Sequence, residues 1–356
     1  MGRQTGALRA GVIGAGHIAT QHLACLRELA GARVVGVADL SPAIAQSTAE
    51  RFGVERWYTD HRRMLDECEL DVVHVTTPPQ SHFKLAMDVL DANAHVIVEK
   101  PATVHFPELE TLLEVAERKN RCVLEDYNYI FNGTVQQILA LLTSGEFGEV
   151  THVEVMLCLN ILGRGSAFLD PNVPHPTRSM RGGAIADFIT HLAALAYVFI
   201  GPHRAVNTIW NKRSPSHSLP ADEFRGMIDA ERGTGWVGFS AHAQPDLFCV
   251  RVYGTKMRAT ANLFEPRLTV ERIHNGPRPM TPLLNGLHES GDAFSGAVNG
   301  VIRKFSGGPG SYEGIWELLS RTYAAFGTGA EPPITAEHVR DVNRLVADLK
   351  GEEVGV

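Results

Sequence analysis

The sequence predicts an α/β fold class: a doubly wound parallel sheet over the first third of the chain, then an α+β domain with an open, largely antiparallel sheet. Three observations carry this. Up to about Asp126, short β-branched runs alternate with helix-length amphipathic segments, the pattern of βαβ units. A glycine-rich turn joins the first run to the first helix. Beyond Thr151, strand-like stretches follow one another with few helices between them, which favours antiparallel pairing. The expected division is residues 1–126 and 127–356.

Taken in order, strands are expected at Leu8 to Ile13, Arg33 to Ala38, a short one near Trp57, Asp71 to Val75, His95 to Val98 and Arg121 to Leu124. Between them, Ile18 to Leu29, Pro42 to Phe52, Arg62 to Glu67, His82 to Ala92 and Pro107 to Lys119 carry apolar residues at helical spacing. Ser41 before Pro42 reads as an N-cap followed by proline in the first turn. A helix around Val135 to Leu142 and a turn at Ser144 to Gly148 lead into Thr151 to Asn160, where Val153, Val155, Leu157 and Leu159 alternate onto one face. A Gly/Pro-rich loop from Gly163 to Gly183 precedes an apolar helix from Ala184 to Ile200. Further strands are expected at Ala205 to Lys212, Phe224 to Ala230, Gly235 to Ala243, Phe248 to Tyr253, Arg258 to Asn262 and Leu268 to Ile273. Helices at Gly291 to Phe305, Ser311 to Phe326 and Ala336 to Lys350 close the chain.

Bulk properties bound the function. With 356 residues, 44% of them apolar, the chain can build two ordinary cores without staples. Its five cysteines are widely spaced, with no C-x-x-C pair, and read as reduced, mostly buried thiols. A formal charge of −7 without a long basic block argues against a nucleic-acid partner. No apolar run is read as approaching the ~18 residues of a membrane span, so a soluble cytoplasmic protein is expected. The sixteen histidines are mostly scattered singly, and a lone histidine is more often a surface or core residue than a ligand.

Gly14-Ala15-Gly16-His17-Ile18-Ala19 leaves the first strand and opens the first helix, the context a G-x-G-x-x-G/A dinucleotide fingerprint requires. Gly14 permits the tight turn, Gly16 lets backbone approach a pyrophosphate, and Ala19 allows close helix-to-sheet packing. The helix N-terminus, at His17 and Ile18, adds amide donors and a favourable dipole. Asp39 ends the second strand about 20 residues on, where a carboxylate accepts from ribose hydroxyls and repels a 2′-phosphate. Leu40 and Ser41 follow in place of an arginine, which favours NAD over NADP. Thr76-Thr77-Pro78-Pro79 and Glu99-Lys100-Pro101 sit at the carboxyl ends of the fourth and fifth strands, where ligands bind in open α/β sheets. Thr77, Pro78, Glu99 and Lys100 are therefore further cofactor-binding candidates.

These residues resemble the Gfo/Idh/MocA family of oxidoreductases. The resemblance runs through the Rossmann fingerprint Gly14 to Ala19, Thr77-Pro78-Pro79 with His82, Val96-Ile97-Val98-Glu99-Lys100-Pro101, Gly182-Gly183 followed by Asp187 and His191, and Tyr253-Gly254-Thr255. It implies NAD-dependent hydride transfer at a secondary alcohol of a sugar, cyclitol or related polyol, with Lys100, Asp187 and His191 as the catalytic group and His82 at the cofactor site. A homodimer or homotetramer, paired through the open sheet of the second domain, is likewise implied. The residues offer independent support: Asp187 and His191, four apart on an expected helix, emerge on one face of a segment otherwise built from Ala, Ile, Phe and Leu. Two ligands do not make a metal site, and no metal is expected.

Departures from the family pattern are visible. Ile189 stands where many members have glycine between this aspartate and histidine. Tyr127 to Asn132 lacks the arginine frequent in members after the sixth strand. The loop Asn160 to Arg181, carrying Arg164, His175, Arg178 and Arg181, is a candidate for shaping specificity. Two other readings use the same scaffold: a lyase or glycoside hydrolase with tightly held NAD and no net redox, and a non-catalytic NAD-binding regulator.

Overall fold

Six parallel strands form the first sheet of this computed structural model, in the order β3-β2-β1-β4-β5-β6. They are β1 (Leu8–Ile13), β2 (Ala32–Ala38), β3 (Trp57–Tyr58), β4 (Val72–Val75), β5 (His95–Val98) and β6 (Val123–Glu125). The structure describes residues 6–163, 168, 182–214, 219–265, 267–273, 280–288, 290–291, 298 and 312–351. Strand order reverses between β1 and β4, and the right hand that such crossovers almost always take puts helices on opposite faces of a sheet with this order. β4 is buried along its whole length, as a strand covered on both sides must be. The linking helices are α1 (His17–Glu28), α2 (Pro42–Phe52), α3 (His61–Cys68), α4 (His82–Asp91) and α5 (Phe106–Arg118). The Ser41 hydroxyl caps α2 at Ile44 N, with Pro42 in the first turn, as the sequence suggested.

After α6 (Gly133–Thr143), seven strands form the second sheet: β7 (Val150–Cys158), β8 (His203–Asn211), β9 (Glu223–Ala230), β10 (Thr234–Ser240), β11 (Leu247–Gly254), β12 (Met257–Asn262) and β13 (Arg267–Arg272). Their order is β13-β12-β11-β7-β10-β9-β8, antiparallel throughout except for the parallel pair β7–β10. Val153, Val155 and Leu157 are buried on one face as expected, whereas Leu159 lies just past the end of β7. The buried face packs under α7 (Gly183–Ile200), and the opposite face carries the exposed side chains of Ile209 and Met227.

Two expectations need correction. Gly183–Ile200 is long and apolar enough to cross a membrane by length and composition, contrary to the reading that no run approached that length, but it is mostly buried and serves as a core helix. The compact units are Met1–Asn128 with Ile315–Asn343, and Tyr129–Gly314 with Arg344–Val356, so a single cut near 126 does not describe them. Most of the helices Glu313–Thr328 and Ala336–Lys350 thus returns to the parallel sheet. Residues 280–288 are helical, which Pro282 and Gly286 had obscured, while the helix expected at Gly291 to Phe305 falls almost wholly outside the described residues. All five cysteines are free, and Cys25, Cys68 and Cys158 are buried.

Candidate functional site

A parallel sheet gathers its carboxyl ends on one edge, so turns far apart in sequence meet there. The first is the turn after β1. Gly14 adopts φ +91°, and a Cβ at this position would stand 2.7 Å from Thr77 Cγ2 and 3.0 Å from the Thr76 carbonyl group. Only glycine fits there. Thr76 clamps the turn from β4, its hydroxyl donating to the carbonyls of Gly14 at 2.7 Å and Ile13 at 3.2 Å. Gly16 is the opposite case: a Cβ there would meet nothing within 4 Å. It is the N-cap of α1 and offers no side chain to the helix amides. The turn is therefore rigid beneath and open above, with His17 exposed, Ile18 half-buried and Ala19 buried against the sheet. An uncapped helix start of this kind is suited to an anion.

Asp39 ties the second turn to the first. Its Oδ2 accepts from Ala15 N and its Oδ1 from Ser41 N, both at 2.8 Å. The carboxylate is held in place by backbone, and each oxygen retains a lone pair for a ribose hydroxyl. Turn formation and ligand binding are thus compatible uses of one side chain. Leu40 beside it is 92% exposed and brings no cation.

The loops after β4 and β5 are braced together from below. Ser81 donates to Thr77 Oγ1 at 2.7 Å. His82 is wholly buried, with Nε2 2.6 Å from the Thr77 carbonyl and Nδ1 2.8 Å from that of Pro101. Burial lowers its pKa, only partly opposed by those two carbonyls. With both ring nitrogens occupied, His82 reaches the site through the loops it joins. Thr77 is half-buried and Pro78 exposed, while Glu99 and Lys100 are half-buried at the end of β5. Glu99 Oε1 lies 2.9 Å from Nε2 of buried His22 on α1, a residue that sequence reasoning passed over as a scattered histidine. The missed signal was a second histidine, His74, inside the fully buried strand β4.

Asp187 and His191 belong to the second unit, on α7, one turn apart as expected. Asp187 is half-buried and His191 is 8% exposed. Tyr129 packs edge-on against the imidazole, ring centroids 4.8 Å apart, and against Phe248 at 4.7 Å. Such contacts restrict the ring's orientation. Ile189, on the far side of the helix, is fully buried, so its bulk fills core instead of lining a site. Arg164, His175, Arg178 and Arg181 lie outside the described residues.

Comparison with known proteins matches both halves of the chain to one family. Residues 8–127 match the GFO_IDH_MocA model, described as an oxidoreductase family with an NAD-binding Rossmann fold, and residues 135–260 match a GFO/IDH/MocA C-terminal domain. A dTDP-3,4-didehydro-2,6-dideoxy-alpha-D-glucose 3-reductase of Saccharopolyspora spinosa is 31% identical over 55% of this chain and 57% of its own length. A levoglucosan dehydrogenase of Pseudarthrobacter phenanthrenivorans is 28% identical over 52% and 48%. The chain thus spans about half the length of these curated relatives. Among solved structures, an NAD binding oxidoreductase from Klebsiella pneumoniae shares the fold across 98% of this chain and 97% of its own, with TM-score 0.80 and 19% identity.

Proposed function

Because the chain belongs to the GFO/IDH/MocA oxidoreductase family over both of its domains, we propose that it is an NAD-dependent oxidoreductase acting by hydride transfer at a secondary alcohol of a sugar, cyclitol or related polyol. The single observation that carries the reading is the turn after β1, closed beneath by Thr76 and open above Gly16 at an uncapped helix start. A Cβ would intrude on the space a pyrophosphate needs, and none is present.

In this reading Gly14, Gly16 and the first amides of α1, at His17, Ile18 and Ala19, hold the pyrophosphate. Asp39 accepts from the adenosine ribose and disfavours a 2′-phosphate, so NAD is preferred to NADP. Thr77, Pro78, Glu99 and Lys100 border the same edge, with His82 bracing the loops that present them. When bound, the nicotinamide supplies the hydride acceptor or donor. His191 takes up the hydroxyl proton, an imidazole being able to accept and return it near neutral pH. Asp187 orients that exchange, and Lys100 steadies the charge growing on the oxygen. Tyr129 limits how the His191 ring can turn.

A second copy of this chain is the proposed partner of the open sheet face. Ile209 and Met227 there are 60% and 64% exposed, and the neighbouring strands carry the Arg251–Glu154 and Arg258–Glu271 pairs. Light scattering showing only monomer would remove this assignment.

The test of the activity is a panel of sugars, inositols and amino-sugar derivatives with NAD and with NADP, together with analysis of nucleotide released on denaturing the purified protein. Steady absorbance change at the nicotinamide band with a free polyol is the expected outcome. Product formed without it, from a chain retaining its nucleotide, overturns the dehydrogenase reading in favour of transient oxidation.

A further inference from the structure

Four buried polar side chains and half-buried Glu99 form a continuous line beneath the ligand edge of the first unit. His22, on α1, is wholly buried. Its Nε2 lies 2.9 Å from Glu99 Oε1 at the end of β5 and 3.4 Å from Asp126 Oδ2 after β6. Its Nδ1 lies 2.9 Å from Nδ1 of buried His74 on β4. His74 Nε2 in turn lies 2.9 Å from the hydroxyl of Tyr323, on the helix Glu313–Thr328. Neither oxygen of Asp126 makes a hydrogen bond among the described residues, although the side chain is 2% exposed.

Two proton arrangements satisfy the close contacts, because a neutral His22 could donate to Glu99 and accept from His74 while His74 accepts from Tyr323, and charge chooses between them. Two carboxylates brought out of water beside one imidazole are costly unless a cation balances them. An imidazolium at His22 donates to Glu99 and, through Nδ1, to His74. His74 is then neutral, accepts on Nδ1, and donates from Nε2 to the Tyr323 oxygen. Each contact under 3 Å in the line then has one donor and one acceptor, and the imidazolium charge faces Asp126 at 3.4 Å.

We infer that His22 is a buried imidazolium and acts as a positioning residue, holding the Glu99 carboxylate ionised and fixed beside Lys100 at the nucleotide edge. The inference rests on the nucleotide-binding reading for its purpose, though not for its charge. Beside the ring stand His74 on β4, Glu99 at the end of β5 and Asp126 after β6; Tyr323 lies beyond His74, and the charge of Lys100 acts on Glu99. Burial alone would lower the pKa of His22, but Asp126 and Glu99 together raise it to about 9. Burial, with the charge of His22 next to it, lowers that of His74. Burial and Asp126 push the Glu99 carboxyl up, and His22 and Lys100 oppose them. Without His22, Glu99 would take up a proton at a higher pH.

Nitrogen-15 NMR of the full chain labelled at histidine rings reads the charge directly, with the His22 signals identified by their loss in His22→Gln. Imidazolium shifts on both His22 nitrogens at pH 7.5, and a neutral ring at His74, are expected. A neutral His22 overturns the inference, as do zinc-induced shifts of the same signals at stoichiometric metal, which would make the cluster a metal site. NADH titrations by fluorescence test the purpose. Wild-type affinity should be flat between pH 6 and 8, while His22→Gln should bind about tenfold more weakly at pH 6 and recover as pH rises. Asp126→Asn added to His22→Gln should restore affinity at pH 6, because removing the second carboxylate lets Glu99 ionise without its cation. A double variant no better than His22→Gln would reduce His22 to packing. Failure of the wild type to bind NADH would instead sink the functional reading and leave the NMR result standing.

Discussion

The two sheets place their polar groups by different rules. In the parallel sheet every strand runs the same way, so residues 14, 39, 77, 99 and 126 come to one edge, where bonds between neighbouring turns and α1 hold them. In the mixed sheet the alternation of side chains spreads polar residues across a face, where Glu154 meets Arg251 and Tyr253 from the adjacent strand and Arg258 meets Glu271. Concentration at an edge builds a pocket from short turns; dispersal over a face builds a surface. The nucleotide is accordingly assigned to the first and a partner copy to the second, and the assignments separate experimentally.

The largest effect is expected from the second unit's helix α7. His191→Ala should lower kcat by about 100-fold or more while leaving NADH affinity near wild type. Lys100→Ala, at the edge of the first unit, should damage turnover comparably with little loss of Tm. Wild-type turnover in His191→Ala on a verified substrate would strike that residue from the chemistry.

Asp39→Ala should behave inversely. Loss of a charged acceptor for the ribose and for Ala15 N should weaken NADH binding by about 10- to 100-fold and move kcat far less. NADP should suffer less than NAD, since the repelling carboxylate is gone. Equal losses for the two nucleotides would contradict the role of Asp39 in choosing between them.

Acid should loosen the first unit. His95, stacked on Phe326 with centroids 4.3 Å apart, and His338, stacked on Tyr127 at 5.6 Å, are both lowered to about 4, chiefly by burial. The unfolded chain binds these protons below about pH 6.5 while the folded chain refuses them until about pH 4, so stability falls as pH drops through that window. Tm measured across pH 7 to 4 should decline, and His95→Phe should flatten part of the slope. A slope unchanged in that variant would remove His95 from the account.

This return of residues 315–343 to the parallel sheet was the part of the fold least legible in the sequence. Helical periodicity names an apolar face without naming what covers it. The available hint was chemical: His74 inside a buried strand and His95 at the start of the next needed partners, and Tyr323 and Phe326 supply them. By contrast the βαβ order, the Gly14 turn and the Asp187/His191 spacing depend on local pattern and short range, and they appear where the sequence put them. Strand direction is a further blind spot, because alternation reads the same both ways; the parallel β7–β10 pair could not be foreseen. His22 was missed for a related reason. Its meaning lies in Glu99, Asp126 and His74, which only the folded sheet brings together.

The smallest effect, and the one that tests dispersal over a face, is expected from Glu154→Ala. The carboxylate accepts from Arg251 at 2.9 Å and from the Tyr253 hydroxyl at 3.0 Å, with both members of the ion pair about a third exposed. In an isolated chain such a pair contributes within about 1 kcal/mol, and Tm should barely move. If a second copy covers this face, the same pair is withdrawn from water, and removing one partner leaves a buried arginine uncompensated. The change would then weaken self-association more than it weakens the fold, seen as a shift in the dissociation curve by light scattering at low protein concentration. A Tm drop of many degrees with unaltered association would mean that the pair instead supports the sheet itself.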